Sequence, residues 1–370
     1  MSSTQSATDW LAGLSPWPAE GFGTERMLQL LGELGDPQHR YPAVHVVGTN
    51  GKSTTTRMTE ALLGDAGLAV GAYLSPHVRR WSERIRVRGD EADFEKAVAR
   101  IRPEAIALGA TQFEAVTAAA LAAFADAGVD VAVVEAGLGG RHDATNVLDA
   151  RVVVLTNVAF DHMDVLGDTR EAIAAEKLAV VDPGAVVVLG QEEWAELARE
   201  NGAARVVTAG SSNLALATAA AEAFLGREVD PHAAEDVRLP GRLERRGEEP
   251  LEIWDGAHNL AGVGYLLPRL PAREYVLCCS ILRDKRPEVM LEALSVLGGT
   301  LVATQSSNPR ALEAGDLAAR AERYFRRVEP VPDPHEARRR ALALAGPAGA
   351  VVVTGSLYLL SELSVSRNDP

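Results

Sequence analysis

Short runs of β-branched residues alternate with helical patterns along almost the whole chain. Val131–Glu135 and Val152–Thr156 are continuous apolar runs, which a strand buried on both faces of a sheet requires. A strand pattern followed by a helix pattern, repeated many times, is typical of βαβ units. The sequence therefore predicts an α/β protein with a mostly parallel, doubly wound sheet.

The predicted elements fall into two series. In the first series, strands are predicted at Ala43–Val47, Val70–Leu74, Val131–Glu135, Val152–Thr156 and Ala185–Leu189. The helices of this series are predicted at Ser53–Ala66, Phe113–Ala127, Ala172–Val181 and Leu214–Leu225. In the second series, which has helices between its strands, strands are predicted at Leu251–Trp254, Tyr275–Ser280, Thr300–Ala303 and Ala350–Thr354.

The segment between the two series is polar and has prolines near both ends, and it runs from Leu239 to Pro250. A chain of 370 residues is long enough for two domains at roughly 100–200 residues each. We therefore predict a linker at this segment. It separates a larger α/β domain over residues 1–243 from a smaller, Rossmann-like α/β domain over residues 250–370.

Composition excludes several functional classes. The formal net charge of −14 disfavours nucleic acid and anionic membranes as partners, so an anionic substrate would need a local positive field. Cys278 and Cys279 are adjacent in an apolar run, which indicates buried strand cysteines and gives neither a disulfide framework nor zinc-ligand spacing. The N-terminal residues lack a signal-peptide pattern, and no stretch reaches the about 18 apolar residues of a membrane span. We expect a cytoplasmic protein.

The segment VHVVGTNGKSTTTRM combines a strand, a glycine turn, a lysine and the start of a helix. Glycines and a helix N-terminus let backbone N–H groups approach a phosphate. Lys52 can reach the β- and γ-phosphates, and a hydroxyl of Ser53 or Thr54 can bind Mg²⁺. Val46 occupies the first glycine position of the usual loop, so the predicted loop is the shortened Gly48–Ser53. Its nucleotide-binding candidates are Thr49, Asn50, Gly51, Lys52, Ser53 and Thr54.

Polar side chains follow three of the predicted strands at their carboxyl ends. Glu135 ends one strand, and Ser75 and His162 come after two others. Ligands of open α/β sheets bind at this edge, so the three side chains could share one or two metal ions. Two other interpretations stay open: Ser75 as a helix N-cap before Pro76, and His162 as a structural histidine.

Several motifs resemble those of one protein family. GTNGKS is similar to the loop of the Mur ligase superfamily, and YLSPHVRRWSERIRVRG resembles the folylpolyglutamate synthase / dihydrofolate synthase branch. The resemblance covers nearly the whole chain, in the order FGTERM, GTNGKS, LSPH, SERIRV, VVEAGLGGRHDATN, FDHMDVLGDT, AAEKLAV, PGRLE, WDGAHN, SILRDK and VTGSLY. It implies an ATP-dependent ligase that adds L-glutamate to a pteroate or folate carboxylate through an acyl phosphate.

The resemblance also implies a metal centre. It assigns Ser75, Glu135 and His162 as metal ligands, with ATP and Mg²⁺ as cofactors and K⁺ as a further candidate. Lys177 matches a lysine that is carbamylated in the family and that supports the metal cluster. The sequence alone leaves open an ordinary solvated or salt-bridged helix lysine at Lys177.

Three further ATP contacts are implied by the resemblance: Asn213, Arg242 and Asp255. Arg242 lies in the predicted linker and could stabilise the γ-phosphate only when the two domains close. Asn213 follows two serines at the start of a helix, so an N-cap role competes with nucleotide binding. A solvated linker arginine is the competing interpretation of Arg242.

The acceptor and glutamate sites are implied more weakly. A pteroate ligand would meet Gly23 of the GFG turn, Phe113, His142 and Asp143, although Phe113 could equally belong to an apolar helix face. His142 departs from the large apolar or aromatic residue often found there, and the segment between Gly190 and Asn213 is shorter than in relatives. His258, as a catalytic candidate beside Lys52 and Lys177, and Ser356 are the candidates near glutamate, with capping or turn roles as alternatives.

Two rival functions remain at this point. A cell-wall Mur ligase needs a nucleotide-sugar-binding domain before the phosphate loop, and the 47 residues before Gly48 are too few for one. A non-catalytic nucleotide-binding protein could keep the fold without turnover. We expect a monomer whose partners are ATP, L-glutamate and dihydropteroate or a reduced folate.

Overall fold

Two separate sheets organise the chain in the computed structural model, which describes residues 5–18 and 21–365. The chain divides between these sheets into two units, Met1–Val237 and Arg238–Pro370. Most neighbouring strands in both sheets run parallel, with helices between them along the chain. The predicted fold class, α/β with a large parallel sheet followed by a second sheet, is confirmed.

The described strands of the first unit form one eight-stranded sheet with the order β4-β3-β2-β5-β1-β6-β7-β8. These strands pair parallel except at one edge, where β3 pairs antiparallel with β2 and β4 pairs antiparallel with β3. The strands are β1 Ala43–Val47, β2 Val70–Tyr73, β3 Ile85–Val87, β4 Asp90–Glu91, β5 Val131–Glu135, β6 Ala150–Leu155, β7 Val186–Leu189 and β8 Arg205–Thr208.

The helices of the first unit flank this sheet along the chain. They are α1 Ala7–Ala12, α2 Glu25–Glu33, α3 Lys52–Asp65, α4 Phe94–Ala107, α5 Gln112–Ala127, α6 Met163–Leu166, α7 Arg170–Leu178, α8 Ala195–Glu200, α9 Asn213–Leu225 and α10 His232–Glu235.

Both faces of the central strands are buried, which explains their continuous apolar sequences. Val44 of β1 packs in one core cluster with Leu216 of α9. Val153 of β6 packs in another with Ile173 and Leu178 of α7. Because β2, β5, β1 and β6 are parallel neighbours, their carboxyl ends meet at one edge, and the loops that follow them converge there.

The second unit contains a six-stranded sheet in its described residues, with the order β13-β12-β11-β14-β10-β9. Its strands are β9 Glu244–Glu248, β10 Leu251–Trp254, β11 Val276–Cys279, β12 Thr300–Ala303, β13 Arg327–Pro330 and β14 Ala350–Thr354. Its helices are α11 Leu260–Leu266, α12 Pro287–Leu294, α13 Ala314–Ala321, α14 Pro334–Ala345 and α15 Leu357–Ser364.

The prediction of a linker over the whole of Leu239–Pro250 is wrong. Residues Glu244–Glu248 of this segment form β9, which pairs antiparallel with β10 at the edge of the second sheet. Its charged side chains suit an edge strand, where backbone hydrogen bonds to one neighbour suffice without burial.

Among the described helices, none is long and apolar enough to cross a membrane.

Candidate functional site

The loop Gly48–Ser53 follows β1 and leads directly into α3. Gly48 and Gly51 have φ angles of 143° and 82°, in the left-handed region that glycine adopts without strain. A Cβ atom on Gly48 would overlap the hydroxyl of Thr156, which follows β6. The two glycines are therefore required by backbone conformation and, at Gly48, also by close packing.

The segment after β6 fixes the shape of this loop. The N–H of Thr49 donates to the Asn157 carbonyl at 2.9 Å, and its hydroxyl accepts the Ala159 N–H at 3.1 Å. The Asn157 side chain brackets the Asn50 peptide, accepting its N–H at 3.1 Å and donating to its carbonyl at 3.0 Å. Asn157 was not among the residues predicted from the sequence, in which its only signal was its position just after a predicted strand.

Lys52 and Ser53 form the first turn of α3, and Thr54 follows half-buried. The Lys52 amine donates to the Thr49 carbonyl at 3.4 Å, so it lies over the loop. The Ser53 hydroxyl donates to Oε1 of Glu135 at 3.0 Å. The phosphate loop and the strand-end carboxylate are thus in direct contact.

The Glu135 carboxylate also accepts the backbone N–H of Ser75 at 3.0 Å. Its side chain is buried at the end of β5, and Ser75 follows β2. Three of the predicted site residues, Ser53, Ser75 and Glu135, therefore meet at one edge of the sheet. Ser75 precedes a turn, and the next helical turn begins at Trp81, so the N-cap interpretation of Ser75 is wrong.

The oxygen atoms of Ser53 and Glu135 suit Mg²⁺, which binds proteins through few carboxylates and completes its shell with phosphate oxygens and water. Within the described residues, no group of three or more His, Cys, Asp and Glu side chains could hold a metal alone. His162 directly precedes α6 in a left-handed conformation, on the loop after β6, with its Nε2 3.8 Å from Oδ1 of Asp161. The donors therefore fit a metal held jointly with a nucleotide.

Lys177 is buried near the end of α7, and its amine donates to the Gly48 carbonyl at 3.0 Å. Burial lowers its pKa to about 7, because desolvation disfavours the ammonium form. The positive charge of Lys52 lowers the pKa further, whereas Asp161 raises it. The solvated-lysine interpretation is therefore wrong, and the amine is partly neutral near pH 7.

Asn213 is the first residue of α9, and its side-chain amide lies against Gly51 of the phosphate loop. A Cβ atom on Gly51 would overlap the Asn213 oxygen. The helix is capped by Ser212, whose hydroxyl accepts the Ala215 N–H at 3.5 Å. The N-cap interpretation of Asn213 is wrong, since its neighbour fills that role.

The predicted acceptor residues lie on three separate segments of the first unit. Phe113, in the first turn of α5, places its ring where a Cβ atom on Gly137 would stand, and its centroid is 6.2 Å from that of Tyr73. Gly23 lies just before α2, close to the Glu25 carboxylate. Phe113 thus contacts the glycine-rich loop that follows Glu135.

His142 and Asp143 differ sharply in environment. His142 is exposed, whereas Asp143 is buried and accepts the N–H groups of Leu138 at 2.7 Å and Thr145 at 3.0 Å. Burial raises the pKa of Asp143, and the hydrogen bonds it accepts, first that of the Thr145 side chain, oppose this rise. The Asp143 oxygens therefore organise the backbone of the loop.

In the second unit, Asp255 follows β10 and is buried. Its carboxylate accepts the N–H groups of Leu243 and Ala257, both at 2.9 Å. Burial raises its pKa, and the positive charge of Arg242 opposes that rise. The Arg242 guanidinium donates to the Gly241 carbonyl at 3.2 Å. Arg242 and Asp255 thus belong to one local cluster.

His258 and Ser356 have local partners as well. Nδ1 of His258 lies 2.8 Å from the Gly256 carbonyl oxygen, so it carries the proton and donates. Ser356 is buried and caps α15 by accepting the Tyr358 N–H at 3.1 Å. The capping role that the sequence left open for Ser356 is present, and the cap of α11 is Asn259, next to His258.

Comparison with known proteins places this fold and site in a family. The family model for the Mur ligase middle domain matches residues 46–232, and that for the Mur ligase glutamate ligase domain matches residues 241–357. The chain therefore belongs to the Mur ligase family of ATP-dependent ligases.

Individual relatives narrow the branch. A dihydrofolate synthase/folylpolyglutamate synthase of Mycobacterium tuberculosis is 34% identical over 81% of this chain and 77% of its own. An Escherichia coli FolC structure in complex with DHPP and ADP has a TM-score of 0.88 at 30% identity, covering 98% of both chains. A bifunctional folylpolyglutamate synthase/dihydrofolate synthase structure with Mn, AMPPNP and L-glutamate bound has a TM-score of 0.84 at 32% identity, covering 97% of both. The chain is a member of the folylpolyglutamate synthase / dihydrofolate synthase family, as its motifs predicted.

Proposed function

We propose that this protein joins L-glutamate to the carboxylate of a pteroate or a folate at the expense of ATP. The observation that carries the proposal is the contact of Ser53 with Glu135 beside Lys52 and Lys177. A phosphate loop whose helix hydroxyl meets a strand-end carboxylate suits a metal–nucleotide complex. Family membership supports the same chemistry, since the relatives are ligases that act on these compounds by name.

The proposed reaction has two steps. A carboxylate oxygen of the acceptor attacks the γ-phosphorus of ATP, which gives an acyl phosphate and ADP. The amine of L-glutamate then attacks the acyl carbon, phosphate leaves, and the nitrogen loses a proton to form the amide. The backbone N–H groups of Gly51, Lys52 and Ser53 at the start of α3 and the Lys52 ammonium bind and orient the phosphates, which is the main contribution a protein makes to phosphoryl transfer.

We propose Ser53, Ser75, Glu135 and His162 as the residues that hold a divalent metal, with Mg²⁺ favoured by the oxygen donors of the two serines and Glu135 and with K⁺ as an additional cation. When bound, the metal would neutralise charge on the transferring phosphoryl group. The chain's own part is to hold the Glu135 carboxylate in place, which the Ser75 N–H and the Ser53 hydroxyl already do.

We also propose that Lys177 is carbamylated. A carbamate forms when a neutral amine attacks CO₂ and a proton is lost, and a pKa of about 7 makes the neutral amine available. The product is an anion, which relieves the repulsion between the Lys177 and Lys52 ammonium groups. Its remaining N–H can still donate to the Gly48 carbonyl.

Further residue roles remain proposals. We assign Thr49, Asn50, Gly51, Thr54, Asn213, Arg242 and Asp255 to ATP. We assign Gly23, Phe113, His142 and Asp143 to the acceptor, and His258 and Ser356 to glutamate. Most of the proposed ATP contacts then lie in the domain over 1–243, and the glutamate candidates lie in the domain over 250–370, which also carries Asp255. A cytoplasmic monomer that binds only small molecules is the remaining part of the proposal.

The test is glutamate-dependent phosphate release from ATP with dihydropteroate and, separately, with a reduced folate. Mass analysis of the products should show one added glutamate with dihydropteroate, one or more with the folate, or both. Folded protein that binds ATP but releases no phosphate with either acceptor would contradict the proposal. That result would favour the non-catalytic alternative.

A further inference from the structure

We propose that His45 and Thr145 are positioning residues that hold the loop Gly137–Arg141 through the carboxylate of Asp143. The proposal rests on the function proposed above and adds two residues to which no role has been assigned. His45 lies on β1, Thr145 follows the loop, and their exposed fractions are 1% and 0%. Buried polar side chains of this kind are retained when their hydrogen bonds fix a local structure.

The three side chains form a chain of hydrogen bonds with a defined direction. Oγ1 of Thr145 lies 2.5 Å from Oδ1 of Asp143 and 2.8 Å from Nε2 of His45. A carboxylate only accepts, so the Thr145 hydroxyl donates to Asp143. The Thr145 oxygen is then left to accept the Nε2–H of His45. The hydroxyl proton of Thr145 and the Nε2–H of His45 thereby each have one acceptor, and the histidine is fixed in one neutral tautomer.

Asp143 transmits this constraint to the middle of the loop. Its Oδ2 accepts the Leu138 N–H at 2.7 Å, while its Oδ1 accepts the Thr145 N–H at 3.0 Å. The loop begins directly after Glu135, whose neighbour Ala136 is tied to β1 by its N–H. The loop is therefore held at both its start and its middle by groups anchored on β1.

The loop contacts two groups that the proposed reaction uses. At one end, Gly137 lies under the ring of Phe113. At the other end, Gly140 packs against the backbone of Lys177, and the Arg141 N–H donates to the Glu176 carbonyl at 3.1 Å. A loop that shifts would therefore disturb both the proposed acceptor contact and the proposed catalytic lysine.

The phosphate loop touches this region through the Lys177 contact with Gly48, but Thr49 and Asn50 of that loop have supports of their own. Thr49 and Asn50 are held by Asn157 and Ala159, not by the hydrogen bonds that join His45, Thr145 and Asp143. Loss of the Thr145 hydroxyl should therefore raise the KM for the acceptor and lower kcat, while the KM for ATP stays the same. General destabilisation of the protein would not change the kinetics for the acceptor while leaving the KM for ATP unchanged.

The central comparison is between Thr145→Val, which removes the hydroxyl with little change in shape, and Thr145→Ser, which keeps it. The matched control is Thr59→Val, because Thr59 is also fully buried and donates one hydrogen bond, at 2.8 Å to the Thr55 carbonyl. We expect at least a tenfold fall in kcat/KM for the acceptor with Thr145→Val, on the order of one broken buried hydrogen bond. Thr145→Ser and Thr59→Val should remain within about threefold of the unmodified protein.

A double-mutant cycle tests whether His45 acts through Thr145. If it does, His45→Leu combined with Thr145→Val should lose no more activity than Thr145→Val alone. If the losses of activity from the two substitutions add in the double mutant, His45 does not act through Thr145 and the proposal is wrong on this point. His45→Leu removes the donor from the other end, so it keeps the proposal falsifiable if Thr145→Val does not fold.

A binding measurement gives a readout besides turnover. Calorimetry with a reduced folate in the presence of ADP should show weaker folate binding by Thr145→Val and unchanged ADP binding. If the unmodified protein releases no glutamate-dependent phosphate, the proposed function fails. If the unmodified protein is active and Thr145→Val keeps its kcat, acceptor KM and folate affinity, the positioning role alone is refuted.

Discussion

The amine of Lys177 lies 3.0 Å from the carbonyl oxygen of Gly48, so α7 is tied to the first residue of the phosphate loop. This contact brings a second lysine to a loop that already carries Lys52. Two ammonium groups close together in a buried place repel each other, and this repulsion adds to desolvation in lowering the pKa of Lys177. A neutral or carbamylated Lys177 removes that repulsion.

Turnover should depend on dissolved CO₂. In CO₂-depleted buffer we expect glutamate-dependent phosphate release to fall severalfold and to recover when bicarbonate is added. At a fixed concentration of dissolved CO₂, recovery should be faster at pH 8 than at pH 6, because the neutral amine fraction rises as the pH passes about 7. Lys177→Met, which cannot form a carbamate, should have low activity that bicarbonate does not change. Equal rates with and without bicarbonate would exclude a functional carbamate.

Removal of the Lys52 side chain should abolish turnover without loss of folding. Lys52→Ala deletes a half-buried ammonium group that lies over the phosphate loop, so phosphate binding loses its side-chain charge. We expect kcat to fall by at least 10³-fold, the scale on which a charged group at a transferring phosphoryl group acts. The thermal unfolding midpoint should change little. Lys96→Ala, at an exposed lysine of α4, is the matched control and should keep full activity; near-normal turnover by Lys52→Ala would contradict the phosphate role.

Arg242→Ala should lower turnover more than ATP affinity. Arg242 lies near the buried Asp255 carboxylate, and its proposed partner is the transferring phosphoryl group rather than ground-state ATP. A residue with that role lowers kcat and kcat/KM together while the dissociation constant of ATP stays nearly constant. Arg245→Ala, at an exposed arginine of β9, provides the control. Parallel losses of ATP affinity and kcat would argue for a simple binding role.

The sequence predicted best the strands whose two faces are both buried. Ala43–Val47, Val131–Glu135 and Ala350–Thr354 were predicted with the observed bounds, because continuous β-branched runs have few other solutions. Arg205–Thr208 and Arg327–Pro330 were not predicted as strands. Both are half-exposed edge strands that rely on backbone pairing with one neighbour, so side-chain pattern gives little signal.

The residues of the candidate site likewise divide into those that the sequence could identify and those that it could not. Lys52, Ser53 and Glu135 could be found because each occupies a fixed place relative to a strand end or a helix start. Asn157 and Thr145 could not, because their roles depend on which loop lies opposite them in space. His45 was hidden for another reason: a single histidine in an apolar strand looks like part of the core, and its partner is 100 residues away.

His45 should also make the protein sensitive to acid in a defined pH range. Burial lowers its pKa from 6.5 to about 4, because the charged form would be desolvated. Its contribution to stability is complete above pH 6.5, and it is lost as the pH falls toward 4, since the unfolded chain takes up the proton first. From these two pKa values, the free energy of unfolding should fall by about 2 kcal/mol between pH 7 and pH 5 on account of this residue.

The measurement is urea denaturation of the unmodified protein and of His45→Leu at both pH values. His77, whose pKa is also lowered, to about 3, titrates in both proteins, so the difference between them isolates His45. We expect His45→Leu to be less stable at pH 7, because the Thr145 oxygen loses its donor, but to lose less of its stability on going to pH 5. An equal loss in both proteins would mean that His45 is already protonated or is not buried in the folded state.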